Sequence, residues 1–163
     1  MKKSIVTLAT ILTLTTGAAS AAPINNLASG ETAIGVGTNE NYIEHQVSND
    51  VTLGYQKADR DEYGNQDDIY GQIRLVDHVR AIVGHRDLNY KSNYYAGIAA
   101  NVPLLPNATG YASFVTGSDF KETQIGTNVS LISNVELNLN YHSFSPDGGR
   151  NENGFGVGAT VKF

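Results

Sequence analysis

The chain has 163 residues, room for one domain, and its 11 Lys and Arg against 16 Asp and Glu leave a net charge of −5. So acidic a balance argues against a nucleic-acid partner, whose phosphates would repel it. The absence of Cys excludes a disulfide scaffold, a thiol nucleophile and thiolate metal sites. With 17 Gly, 9 Tyr, 5 Phe and no Trp, the composition favours a β protein.

The amino terminus has the parts of an export signal. Lys2 and Lys3 form a positive start, residues 5–16 an apolar but threonine-rich run, and Ala19-Ser20-Ala21 a small-residue cleavage site. This predicts a signal peptide over 1–21, cut before Ala22, and a mature domain over 22–163. The apolar run falls well short of the ~20 residues a membrane helix needs, and no later stretch supplies them.

From residue 31 the chain breaks into short segments divided by turn residues. Segment 31–38 carries Ile34 and Val36 against Gly35 and Gly37, and 42–47 follows the turn 39–41. After the turn 48–50, Val51, Leu53 and Tyr55 alternate with Thr52, Gly54 and Gln56. The charged stretch 59–68 is expected to be a long loop. Ile69, Ile73 and Leu75 then alternate with Tyr70, Gln72 and Arg74, and Arg80 and Arg86 share a parity in 79–88. Segment 94–102 ends at Pro103, and 108–116 has an ambiguous parity. In the eighth segment Ile125, Val129 and Leu131 oppose Glu122, Gln124, Gly126 and Asn128. The cleanest alternation is the ninth: Val135, Leu137, Leu139 and Tyr141 on one face, Glu136, Asn138, Asn140 and His142 on the other.

The tenth segment ends the chain. Phe155, Val157, Ala159, Val161 and Phe163 alternate with glycines, Thr160 and Lys162. Gly158, Val161 and the terminal Phe163 resemble the assembly signal at the carboxy terminus of bacterial outer-membrane β-barrels, although Val157 stands where a polar residue often precedes the Gly. The mature chain as a whole resembles small barrels of the OmpA/OmpX type. The resemblance implies an all-β fold, a closed antiparallel up-and-down transmembrane β-barrel, with insertion by the barrel-assembly machinery into outer-membrane lipid and lipopolysaccharide. The segments number ten; eight is the alternative if the short first hairpin fails to pair. Ten residues rise ~33 Å, which a tilt of ~40° projects to the ~25 Å apolar band of such barrels. The short turns at 48–50, 77–78, 103–107 and 133–134 are expected on the periplasmic side with both termini.

Alternation alone does not say which face is inside. A soluble barrel would enclose Leu137 and Leu139; a membrane barrel would turn them to lipid. Charges set against hydrocarbon would cost ~2–4 kcal/mol at the midplane for Arg or Lys. Arg74, Arg80, Arg86, Glu122, Glu136 and Lys162 are therefore expected inside, as a network of ion pairs filling the lumen. A narrow channel for ions or small solutes is the alternative. Tyr42, Tyr55, Tyr94, Tyr111, Tyr141 and Phe163 are candidates for interfacial girdles.

Catalytic and metal readings are weak. Asp59, Asp61 and Gly64 faintly resemble a calcium loop, but Tyr63 and Tyr70 occupy ligand positions and the closing Glu is missing. His142, Ser143 or Ser145, and Glu152 follow the chain order of an outer-membrane lipid-A deacylase. Their spacing fails, however, and parity separates His142 from Ser143. His85 and Asp87 with Asp59 and Asp61 are too few for an outer-membrane protease. The sequence thus points to a non-enzymatic barrel, without cofactor or metal, displaying acidic external loops to a ligand it does not specify.

Overall fold

A computed structural model describes residues 23–89 and 91–163; the expected signal peptide lies outside them. Ten antiparallel strands form one closed ring: β1 (Thr32–Gly37), β2 (Glu40–Gln46), β3 (Val51–Arg60), β4 (Gly64–Val76), β5 (Val79–Leu88), β6 (Lys91–Leu105), β7 (Ala108–Gly117), β8 (Phe120–Ile132), β9 (Val135–Pro146) and β10 (Glu152–Lys162). Each pairs with its neighbours in sequence, and β1 pairs with β10 from Ala33 and Lys162 to Gly37 and Gly158. The short first hairpin is thus held on both sides, which settles the count at ten. Phe163 completes the seam: its N–H donates to Thr32 O at 2.9 Å, and Thr32 N–H to Phe163 O at 2.8 Å.

The alternation of the sequence becomes two surfaces. Ile34, Ile43, Leu53, Ile69, Val83, Ile98, Ile125, Leu139 and Phe155 face outward and are exposed, Ile69 by 66% and Phe155 by 77%. Between them Glu44, Gln56, Gln72, Arg86, Gln124, Asn138 and Thr160 turn inward and are buried. The ninth strand settles the orientation, because Asn138, Asn140 and His142 are buried while Leu139 is half exposed. A soluble barrel would require the reverse.

Two expectations need correction. The stretch 59–68 is mostly strand, with only 61–63 between β3 and β4. Its polar side chains follow the strand period: Arg60, Gln66 and Asp68 are buried inside the ring, and Asp59 and Asp67 lie on the outer face. Connections at that end are therefore all short, the longest being 147–151. Likewise β6 runs past Pro103 to Leu105; the ladder shifts register between those residues, which accommodates the missing proline N–H.

Four tyrosines point inward and set the internal packing. Each lies opposite a glycine on the neighbouring strand: Tyr42 and Gly35, Tyr70 and Gly54, Tyr95 and Gly84, Tyr111 and Gly126. A Cβ on Gly126 would stand 2.5 Å from the Tyr111 hydroxyl oxygen and 2.8 Å from Leu139 O. The glycines thus make room for rings that a narrow cylinder could not otherwise hold. Tyr42 and Tyr111 therefore leave the expected girdle, while Tyr55, Tyr94, Tyr141 and Phe163 stay on the outer wall.

We expect Gly126→Val to lower stability by about 1–3 kcal/mol through this overpacking, read as a lower urea midpoint for the refolded barrel. Gly71→Ala is the control, since a Cβ there meets nothing nearer than Leu53 at 3.8 Å. Equal effects at the two sites would contradict the packing role.

Candidate functional site: a lumen with two polar layers

The inward side chains form two polar layers. One lies near the chain termini, at what is here named the terminal end; the other lies towards the opposite, far end. The far layer is an ion-pair cluster drawn from five strands. Arg60 of β3 meets Glu122 of β8 at 2.5 Å and Glu152 of β10 at 3.3 Å. Arg86 of β5 meets Asp68 of β4 at 2.7 Å and Glu122 at 2.8 Å. Glu122 thus bridges both guanidinium groups. Two Arg among three carboxylates nearly balance the charge, the condition under which buried ions are tolerable.

Aromatic rings close the gaps around these charges. The Arg60 guanidinium lies 4.1 Å from the Phe144 ring centre, and that of Arg86 lies 4.4 Å from Phe120 and 5.2 Å from Tyr95. Phe120 and Phe144 themselves touch, with centroids 5.7 Å apart. Above them a recess of about 330 Å³ opens at the far end, lined by Glu62, Tyr63, Lys91, Asp119 and Asp147 among others. Phe120 and Phe144 line it as well.

The terminal layer is closed differently. Residues 23–27 precede β1 and fold back into the ring, burying Pro23, Ile24, Asn25 and Leu27. Asn128 donates to Ile24 O at 3.0 Å, Arg80 to Asn25 O at 2.7 Å, and Lys162 to Asn26 O at 3.0 Å. Asn25 donates from its own amide to Glu44 at 2.7 Å. Arg80 and Asn101 both donate to the Asn26 side-chain oxygen, at 2.8 and 2.5 Å. Ile24 packs into an apolar cluster with Tyr70, Ile82, Tyr95 and Tyr111. Between the two layers remains a cavity of about 40 Å³, room for about one or two waters.

The six expected lumen residues thus divide. Arg86 and Glu122 belong to the far cluster, together with Arg60, Asp68 and Glu152, which the expected network does not include. Lys162 pairs with Glu136 at 2.8 Å in the terminal layer, and Arg80 joins them through residues 25 and 26. Arg74 stands apart. It follows the strand parity, but the register shifts between Arg74 and Val76, and Arg80 lies directly opposite. Repulsion between like charges accompanies its exposed position at the terminal-end recess with Asp77 and His78. Among the described residues it has no salt bridge.

Gly158 is paired with Gly37 and Asn138, where a Cβ would meet Val36 O at 3.1 Å. Val161 and Phe163 lie on the outer wall, Phe163 exposed by 67%. The missed residues had a signal in the strand period: carried back from Tyr70 and Gln72 it reaches Asp68 and Gln66, and carried on from His142 it reaches Phe144. Residues 23–27 had none, because a segment without a ladder has no period.

The catalytic alternatives lose their geometry. His142 is fully buried, and neither ring nitrogen has a hydrogen-bond partner among the described residues. Ser143 has the opposite parity, and Glu152 is held by Arg60. His85 and Asp87 turn to the outer wall of β5, with 3.9 Å between their nearest charged atoms. Of the carboxylates in the calcium-loop reading, Asp59 lies on the outer wall of β3 and Asp61 in the short connection 61–63, so the stretch is no twelve-residue loop.

No protein-family model matches the chain, and neither does any curated protein. Among solved structures it is similar to the N-terminal β-barrel domain of Pseudomonas aeruginosa OprF, at 12% identity over 83% of this chain and 98% of that one, with a TM-score of 0.44. The KdgM porin, solved with disordered oligogalacturonate, aligns at 7% identity over 82% and 98%, TM-score 0.49. The NanC porin aligns at 11% identity over 90% and 97%, TM-score 0.46. These are likenesses of barrel architecture.

Glu122→Gln should destabilise the barrel by about 3–5 kcal/mol, because it removes one charge from a buried, hydrogen-bonded set. A fall in the urea midpoint checks this. Glu62→Gln should change little, since its 3.5 Å pair with Arg150 is exposed.

Proposed function

We propose that the chain is an integral protein of the bacterial outer membrane whose barrel is closed to solute flow, with a structural or surface-interaction role. One observation carries the reading: on a closed ring, a band of aliphatic side chains, among them Ile34, Ile43, Leu53, Val83, Ile98 and Leu139, faces out, while Arg60, Asp68, Arg86 and Glu122 are buried inside. Water would leave that outer wall unsatisfied, whereas an acyl bilayer matches it. Tyr94 and Phe155 towards the far end and Phe163 at the other supply interfacial aromatics. The terminal end then faces the periplasm, and the acidic rim of Asp61, Glu62, Asp119 and Asp147 faces outward, near lipopolysaccharide. Gly158, Val161 and Phe163 would present the chain to the barrel-assembly machinery.

The runner-up is a narrow channel. The ion-pair and aromatic layer argues against it, because Arg60, Arg86, Phe120 and Phe144 occupy the axis that a solute would use. Enzymatic action has no support in the geometry of His142 or His85.

Purified protein in planar bilayers should give no discrete conductance steps at neutral pH, and membranes should retain it through alkaline carbonate washing. Stable steps would favour the channel. Release by carbonate would end the membrane assignment.

A further inference from the structure

We propose that the terminal half of the lumen is a peptide-binding site, and that residues 23–27 are its resident, exchangeable ligand. The ligand class is a short, neutral, extended peptide carrying an aliphatic residue followed by two Asn. Four observations bear on this. Ring closure does not involve the segment, since all ten strand pairings form without it. The segment makes no ladder: its carbonyls at Ile24, Asn25 and Asn26 are received by side chains of Asn128, Arg80 and Lys162. Donors spaced to receive successive carbonyls read an extended backbone whatever its side chains.

Specificity comes from three further contacts. Ile24 enters the aromatic cluster of Tyr70, Tyr95 and Tyr111. The Asn25 side-chain amide donates to Glu44, and the Asn26 side-chain oxygen Oδ1 accepts from both Arg80 and Asn101.

The site also has the means to outlast its ligand. Gln72 joins Glu44 and Arg80 independently, donating to Glu44 at 2.7 Å and accepting from Arg80 at 3.1 Å. Glu136 holds Lys162 in the same way. Withdrawal of residues 23–27 would therefore leave Glu44, Gln72, Arg80, Glu136 and Lys162 paired with one another and Asn128 still accepting from Asn138 at 2.7 Å, while the Asn101 amide, which donates to Asn26, would be freed for an incoming peptide.

Finally, there is an exit. A recess of about 230 Å³ opens beside Asn26 and Leu27 at the terminal end, and Gly30, at φ 86°, turns the chain between the segment and β1. Two buried aliphatic side chains and a handful of hydrogen bonds oppose the entropy of ordering five residues, and these contributions are of similar size. That balance suits exchange.

The chain has no Cys, so Ile24→Cys gives a single reporter in the full barrel. Its alkylation by a maleimide should be at least tenfold slower in the folded barrel than in urea. Excess Pro-Ile-Asn-Asn-Leu peptide should restore most of that rate, whereas the scrambled Asn-Leu-Pro-Asn-Ile should not. Arg80→Gln should quicken alkylation without peptide. In parallel, a barrel lacking residues 23–27 should bind fluorescent Pro-Ile-Asn-Asn-Leu saturably, and Arg80→Gln should weaken that binding about tenfold. Should the shortened barrel not fold, the alkylation series decides alone. A folded-state rate equal to that in urea would overturn the seating. Slow alkylation indifferent to both peptide and Arg80→Gln would show residues 23–27 to be fixed packing, overturning the exchange.

Discussion

Closing ten strands into a ring leaves only two places for a side chain: a narrow interior with little water, or the outer wall. Everything else in this structure follows from that division. A charge sent inward must find an opposite charge or hydrogen-bond donors within a few ångströms, because bulk solvent cannot screen it. Glu122 does so by bridging Arg60 and Arg86, and Glu44 by taking donors from Asn25, Tyr70 and Gln72. A bulky ring sent inward must find a gap, and the facing glycines provide it. The same constraint frees the outer wall to carry Ile, Leu, Val and Phe without penalty in a lipid setting.

The two polar layers differ in what they are built from. The far layer is built from strand residues alone, and its ions interlock across β3, β4, β5, β8 and β10. Removing any one member leaves a charge with fewer partners. The terminal layer depends on a segment outside the ladder, held by side chains that also hold one another. The far layer thus belongs to the ring itself, whereas the terminal layer also includes a segment outside it.

Much of the fold was legible because a strand's period is strict. In β9 the alternation from Val135 to His142 assigned every side chain to its final face. The same rule misled where it was abandoned. Residues 59–68 looked like a solvated loop because they are so charged, yet Arg60, Gln66 and Asp68 keep perfect step with Gln56, Tyr70 and Gln72. Tyr42 and Tyr111 were placed in the girdle by residue type, although parity sends them inward to Gly35 and Gly126. Arg74 fails for a local reason, the register shift beside it, which no period encodes. Residues 23–27 were illegible for a deeper one: their hydrogen bonds go to side chains from five strands, so no local pattern announces them.

The central claim is the direction of the two faces, and spin labels on single cysteines along β9 test it most directly. With the protein in liposomes, labels at 137, 139 and 141 should collide freely with oxygen and poorly with a water-soluble nickel chelate. Labels at 138 and 140 should be immobile and shielded from both. Oxygen reaching 138 and 140 while the nickel chelate reaches 139 would reverse the faces and contradict the account.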